Sequence, residues 1–137
     1  MSVKIHSNII DGDSYDIGYK VVTTDMKSLG LRKNPNILEF KLDEWYMLDD
    51  SNVEEGNGDW GGIWVARTLS NATKLQSYMH DKYNQDTRLF KTALDDILFV
   101  NSYRIKTKGV MLFEELWYLN LISKLYKGFL VLFKCWG

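Results

Sequence analysis

The sequence predicts an α+β fold, with residues 1–137 forming a single compact domain on a mainly antiparallel sheet. We expect two main helices and an apolar C-terminal helix or tail. Two observations favour this class: segments with strand character outnumber those with helical spacing, and the two kinds do not alternate regularly along the chain. The composition, 45% hydrophobic and 26% charged, is typical of a globular protein.

The first half of the chain predicts short strands separated by turns. Residues 1–17 are polar and mixed, so we expect a loosely ordered start with a turn at residues 11–14. Residues 19–24 are rich in β-branched side chains and predict a strand. Alternation over residues 37–42 predicts a half-buried strand, whose inward residues would be Leu38, Phe40 and Leu42.

The second half predicts both helices. A strand over 62–67 leads into a helix of about three turns, for which Ser70 is the expected N-cap. Further strands are predicted at 87–93 and 97–100 around a turn at Asp95–Asp96, and then at 103–107 and 110–113. The second helix is expected from Glu114 to about Lys127.

The C-terminal end is the most apolar part of the chain. Its longest uninterrupted apolar run, Phe129–Phe133, has five residues, against roughly 20 for a membrane span, so we expect no membrane association. The run would be covered by the chain's own core or by a second copy in a homodimer. The single cysteine, Cys135, fits a reducing cytoplasm, and two distant histidines predict no metal site.

Residues 43–61, which we call the acidic loop, carry seven acidic side chains and no basic one. The rest of the chain therefore has a net charge of +6, since 17 basic residues face 11 acidic ones there. Residues 56–61 match G-x-G-x-x-G, but they precede a strand, so we interpret them as a tight turn and not a dinucleotide fingerprint. The loop's partial calcium-loop spacing fails at its sixth and twelfth positions.

Cations and aromatic side chains provide the candidate binding residues. Strand alternation places Arg104, Lys106 and Lys108 on one face, which would bind phosphates, remain solvated or be covered by the acidic loop. Trp45 and Trp60 flank the acidic loop and would either bind a ligand or pin the loop to the sheet. Trp64 is expected in the core of its strand.

Two adjacent glutamates follow the last predicted strand. Glu114 and Glu115 would stabilise the positive end of the second helix, or one of them would act as a catalytic carboxylate.

Part of the chain resembles small ADP-ribosyltransferase-like domains. The resemblance rests on residues 61–67 followed by 70–72 and Tyr78, and on residues 19–24 followed by Leu29-Gly30-Leu31. It implies NAD as the cofactor, with Lys20 and Arg104 holding its phosphates. It also implies that Trp64 or Tyr78 stacks on a ring and that Glu114 or Glu115 orients a ribose hydroxyl. The whole chain also resembles short uncharacterised bacterial proteins, which implies no activity.

Three functions follow from these features, and whether the protein is an enzyme stays open. The first is a binding or interaction domain that uses the acidic loop and the basic strand face toward an unidentified protein or nucleotide. The second is an ADP-ribosyltransferase-like protein that binds or cleaves NAD. The third, which the acidic loop disfavours, is single-stranded nucleic-acid binding, with Tyr103 or Trp60 stacking on a base.

Overall fold

The structure is a computed structural model that describes residues 4–31 and 34–116. Six strands and one α-helix follow one another along the described chain. They are β1 (His6–Ile10), β2 (Asp13–Thr23), β3 (Trp45–Met47), β4 (Ile63–Ala66), α1 (Leu69–Tyr83), β5 (Thr87–Val100) and β6 (Arg104–Glu115). All pairings between these strands are antiparallel, which confirms the predicted character of the sheet.

Four strands close into a ring. β2 pairs with β5, β5 with β6, β6 with β4, and β4 meets β2 through the pair Tyr19–Ala66. All four strands contribute to the main core cluster, as expected for side chains inside a small barrel. Its buried members are Val22, Phe40, Ile63, Val65, Phe90, Leu94, Ile105, Val110 and Leu112.

The helix α1 packs on a second, smaller cluster. Ala72 of the helix contacts buried Val21 and Leu89 of strands β2 and β5. The helix is where the sequence predicts one, but its N-cap is Thr68 and not Ser70. The Thr68 hydroxyl accepts a hydrogen bond from the Asn71 backbone N–H at 3.2 Å, which satisfies one of the otherwise free donors of the first turn.

The predicted α+β class with two main helices is wrong for the described residues, which form a sheet with a single α-helix. Strand β6 continues to Glu115, where the second helix was expected to begin at Glu114. The physical reason is strand pairing, since Glu114 lies opposite Lys91 and Glu115 lies opposite Phe90. Strand β5 therefore supplies hydrogen-bond partners for the backbone there, whereas the first turn of a helix would leave its N–H groups without partners. The expected C-terminal helix or tail and its homodimer contact fall in 117–137, outside the described residues.

Smaller differences have similar causes. The expected loose start contains strand β1, because Asp11 and Gly12 both have positive φ and form a two-residue hairpin turn. The expected strand 37–42 is reduced to one bridge between Lys27 and Glu39. Asp95–Asp96 is not a turn between strands, since β5 continues through these two residues. The two register shifts of β5 against β6 lie on either side of them, at 91–92 and 97–99.

The closure of the ring requires a glycine at position 18. A Cβ atom there would lie 2.5 Å from Val65 Cγ2 and 3.2 Å from the Ala66 carbonyl oxygen. We expect Gly18→Ala to lower the free energy of unfolding by about 1–3 kcal/mol, because β2 and β4 would have to separate. Urea denaturation measures the change.

Gly58→Ala is the matched control, since no atom lies within 4 Å of a Cβ built at Gly58. Equal stability losses in the two variants would contradict the close approach of β2 and β4.

Candidate functional site

An open cleft of about 1360 Å³ runs along strand β4. Its walls are residues 28–31 and 34–38, the acidic loop, the first turns of α1 and the start of β6. Apolar side chains such as Phe40, Tyr46 and Leu75 form much of the lining, together with a few polar groups. A concave site of this kind and size accommodates a small molecule.

Lys20 is the buried cation of this cleft. It lies on β2 and is 9% exposed, and its Nζ donates a hydrogen bond to the Trp64 carbonyl oxygen at 2.7 Å. The same nitrogen lies 5.6 Å from the centre of the Phe40 ring. Among the described residues no carboxylate forms an ion pair with it. Burial lowers the pKa of the Lys20 ammonium to about 8, because the charged form loses its hydration.

Trp64 connects Lys20 to the rest of the site. Its indole Nε1 donates a hydrogen bond to the Asp59 carbonyl oxygen at 3.2 Å, which ties the end of the acidic loop to β4. The Arg104 guanidinium lies over the indole ring, 3.9 Å from its centre. Trp64 is partly buried, whereas the sequence placed it in the core, and it lines the cleft.

Arg104 is held by aromatic rings. Its guanidinium lies 5.6 Å from the Tyr103 ring in addition to its contact with Trp64. Its Nε is buried and has no hydrogen-bond partner among the described residues. Arg104 also contributes to the lining of the cleft, so its positive charge lies close to any molecule that enters it.

The rim of the cleft carries exposed aromatic side chains. Trp60 is 48% exposed and Tyr103 is 52% exposed, and both contribute to the lining. Lys74 and Asn71 of α1 belong to the polar part of the lining, together with Glu54 and Asp59. A planar ligand would find ring faces here on which to stack.

The basic strand face is mostly covered by the acidic loop. Lys106 is fully buried, and its Nζ donates to the Gly56 carbonyl oxygen at 3.2 Å, while Lys108 forms an ion pair with Asp50. A Cβ atom at Gly62 would lie 2.4 Å from Lys106 Cγ, so this glycine lets the loop pass over the lysine. Of the three cations predicted on this face, Arg104 lines the cleft and the other two do not.

The acidic loop is itself partly regular. It contains β3, which pairs with β6, and one 3-10 turn at Asp50–Asn52. The glycine segment forms a turn, as predicted: Gly56 and Gly61 have positive φ, and the Gly61 carbonyl accepts from the Glu54 N–H at 2.8 Å. The acidic side chains therefore sit on an ordered segment that is bonded to β6.

Glu114 and Glu115 lie away from the cleft lining. Glu115 accepts two hydrogen bonds from the Arg88 guanidinium, at 3.0 and 2.5 Å, and so stabilises the end of β6. Glu114 is exposed. The pKa of Tyr19 is raised mainly by burial of its phenol and, to a smaller extent, by the negative charge of Glu114. The structure does not bring either carboxylate together with Lys20, Arg104 and Trp64.

Two of the predicted aromatic residues also lie elsewhere. Trp45 packs against Tyr15 with a ring separation of 5.5 Å. Tyr78 is exposed on α1, where its hydroxyl accepts a hydrogen bond from Lys82, and this bond lowers the Tyr78 pKa. Trp60 and Trp64 are the members of the predicted set that line the cleft.

Sequence reasoning missed the burial of Lys20 and the contributions of Phe40, Asn71 and Lys74. A signal for Lys20 was present: it lies two residues before Val22, and alternate residues of a strand share a face. The segment that supplies Phe40 is brought to β4 by long-range packing, which no local pattern indicates.

Comparison with family models, curated proteins and solved structures finds no match for this chain. Within residues 4–31 and 34–116, no group of three His, Cys, Asp or Glu side chains could hold a metal ion. No helix in that part of the chain is long and apolar enough to cross a membrane.

The environment of Lys20 predicts a specific pH dependence of stability. The unfolded chain keeps the Lys20 proton up to about pH 10.5, whereas the folded chain loses it near pH 8. The unfolded state therefore binds more protons in this window, so stability increases as the pH rises through it. We expect the free energy of unfolding of the wild type, relative to Lys20→Met, to increase by about 2 kcal/mol from pH 7 to pH 10.

Urea denaturation of both proteins at each pH measures this difference, and Lys41→Met, which removes an exposed lysine, is the control. A difference between wild type and Lys20→Met that does not change with pH would contradict a desolvated Lys20.

Proposed function

We propose that this protein is a binding domain for a small anionic ligand with a planar ring, held in the cleft beside β4. The observation that carries the proposal is Lys20, a buried ammonium that has one hydrogen bond and no carboxylate partner among the described residues. Burying an unpaired charge costs several kcal/mol, and an anion in the cleft would offset part of that cost.

The remaining polar lining supports the same ligand class. The described lining residues include three cations and two carboxylates, namely Lys20, Lys74 and Arg104, and Glu54 and Asp59. Lys20 is the buried one among these five. The guanidinium of Arg104 lines the cleft and is of a kind that binds phosphate or carboxylate oxygens. The exposed rings of Trp60 and Tyr103 would stack on a base or another planar group. Nucleotides combine both features, which makes them the first ligands to test.

The proposal is restricted to binding and does not include transfer of ADP-ribose. The carboxylates that such chemistry would need, Glu114 or Glu115, do not line this cleft. Lys106 and Lys108 are engaged by contacts within the protein. These contacts likewise argue against the basic strand face as a docking surface for nucleic acid. For the location we propose the cytoplasm, on the sequence argument that the chain has one cysteine.

Thermal unfolding with and without 1 mM NAD, ADP-ribose or AMP tests this function. For a dissociation constant near 0.1 mM, we expect the melting temperature to rise by roughly 4–6 °C with at least one of them. Lys20→Met should abolish the rise, because it removes the buried charge and keeps a similar unbranched side chain.

Lys41→Met, an exposed change outside the cleft, should retain the full rise. The proposal fails if no nucleotide stabilises the wild type, or if both lysine variants respond as the wild type does.

A further inference from the structure

Lys20 Nζ has a single hydrogen-bond acceptor among the described residues. A lysine ammonium has three N–H donors, and the Trp64 carbonyl oxygen at 2.7 Å is the one acceptor that the described residues provide. A protonated imine at the same nitrogen has one N–H donor. The single acceptor therefore satisfies a protonated imine completely and leaves an ammonium with two unused donors.

The surroundings of the nitrogen favour a nucleophilic amine. Lys20 is buried next to Phe40, and no described carboxylate pairs with it to stabilise the charged form. A desolvated lysine in an apolar pocket is a common form of amine nucleophile toward carbonyl groups. The pKa of about 8 agrees, because an appreciable fraction of the side chain is then neutral near physiological pH.

The cleft also provides access to Lys20 and space for a small molecule beside it. Lys20 contributes to the wall of a cleft of about 1360 Å³, so a small molecule can approach from solvent. Arg104 and Lys74 also line the cleft, and their positive charges would attract an anionic group of that molecule.

From this geometry we propose that Lys20 forms a reversible imine with an aldehyde or ketone that carries a phosphate or carboxylate group. The neutral Nζ adds its lone pair to the carbonyl carbon and gives a carbinolamine. Loss of water, which carries away the carbonyl oxygen and both amine hydrogens, leaves the C=N bond. Protonation of the imine nitrogen supplies the one N–H that donates to the Trp64 carbonyl, and hydrolysis reverses the sequence. The proposal rests on the cleft being a ligand site, as argued above.

The test uses pyridoxal 5′-phosphate as a probe, since it combines an aldehyde, a planar ring and a phosphate. The full-length wild-type protein is incubated with limiting probe and reduced with borohydride, which converts the imine into a stable secondary amine. Peptide mapping then compares each lysine. We expect Lys20 to be modified at least about tenfold faster than exposed Lys41, because a neutral amine reacts and an ammonium does not.

The Lys41→Met variant should keep the Lys20 adduct, and Lys20→Met should lose it while its surface adducts persist. Modification of Lys20 at or below the level of Lys41 in the wild type would overturn the proposal, whether or not Lys20→Met folds.

Pyridoxine 5′-phosphate, which has an alcohol in place of the aldehyde, separates this proposal from the proposed function. Protection of Lys20 from the aldehyde by the alcohol supports the imine at a cleft that binds the ring and phosphate. Stabilisation by nucleotides without preferential Lys20 modification overturns the imine and leaves the binding function standing.

Discussion

The site depends on the placement of one tryptophan at the junction of the ring. The Trp64 carbonyl accepts from Lys20 on one side, and the indole contacts Arg104 and holds the acidic loop through Asp59. Lys20 and Arg104 are far from Trp64 in sequence, and they meet it at β4 because that strand closes the ring between β2 and β6. A change in the position of β4 would move the buried amine, the guanidinium and the loop together.

Charge is distributed unevenly, and the acidic loop lies against the basic face of the sheet. The acidic loop covers the basic face of β6, where Lys108 meets Asp50 and Lys106 meets a backbone carbonyl. Lys20 and Arg104 differ from these two lysines, since both of them line the cleft and neither Lys106 nor Lys108 does. Two cations held mainly by Trp64 at a cleft are available to a ligand in a way that the covered lysines are not.

The sequence predicted the local elements better than the way they assemble. The helix after the fourth strand, the glycine turn and the antiparallel sheet followed from periodicity and turn chemistry, which are local properties. The second helix was wrong from its first residue, because cross-strand pairing with β5 decides the conformation of Glu114 and Glu115. The same limit applies to the site. Lys20, Arg104, Trp60 and Trp64 were named as candidates, but their meeting at a cleft depends on long-range contacts that spacing does not show.

The protonation state of Lys20 is the property on which both the binding site and the imine depend. It can be measured directly by following the ¹³Cε and ¹⁵Nζ resonances of labelled lysine through a pH titration, with Lys20→Arg used to assign the signal. A midpoint near 8 is expected for Lys20, well below the usual lysine value of about 10.5. A Lys20 midpoint close to that usual value would contradict a desolvated amine held by the Trp64 carbonyl.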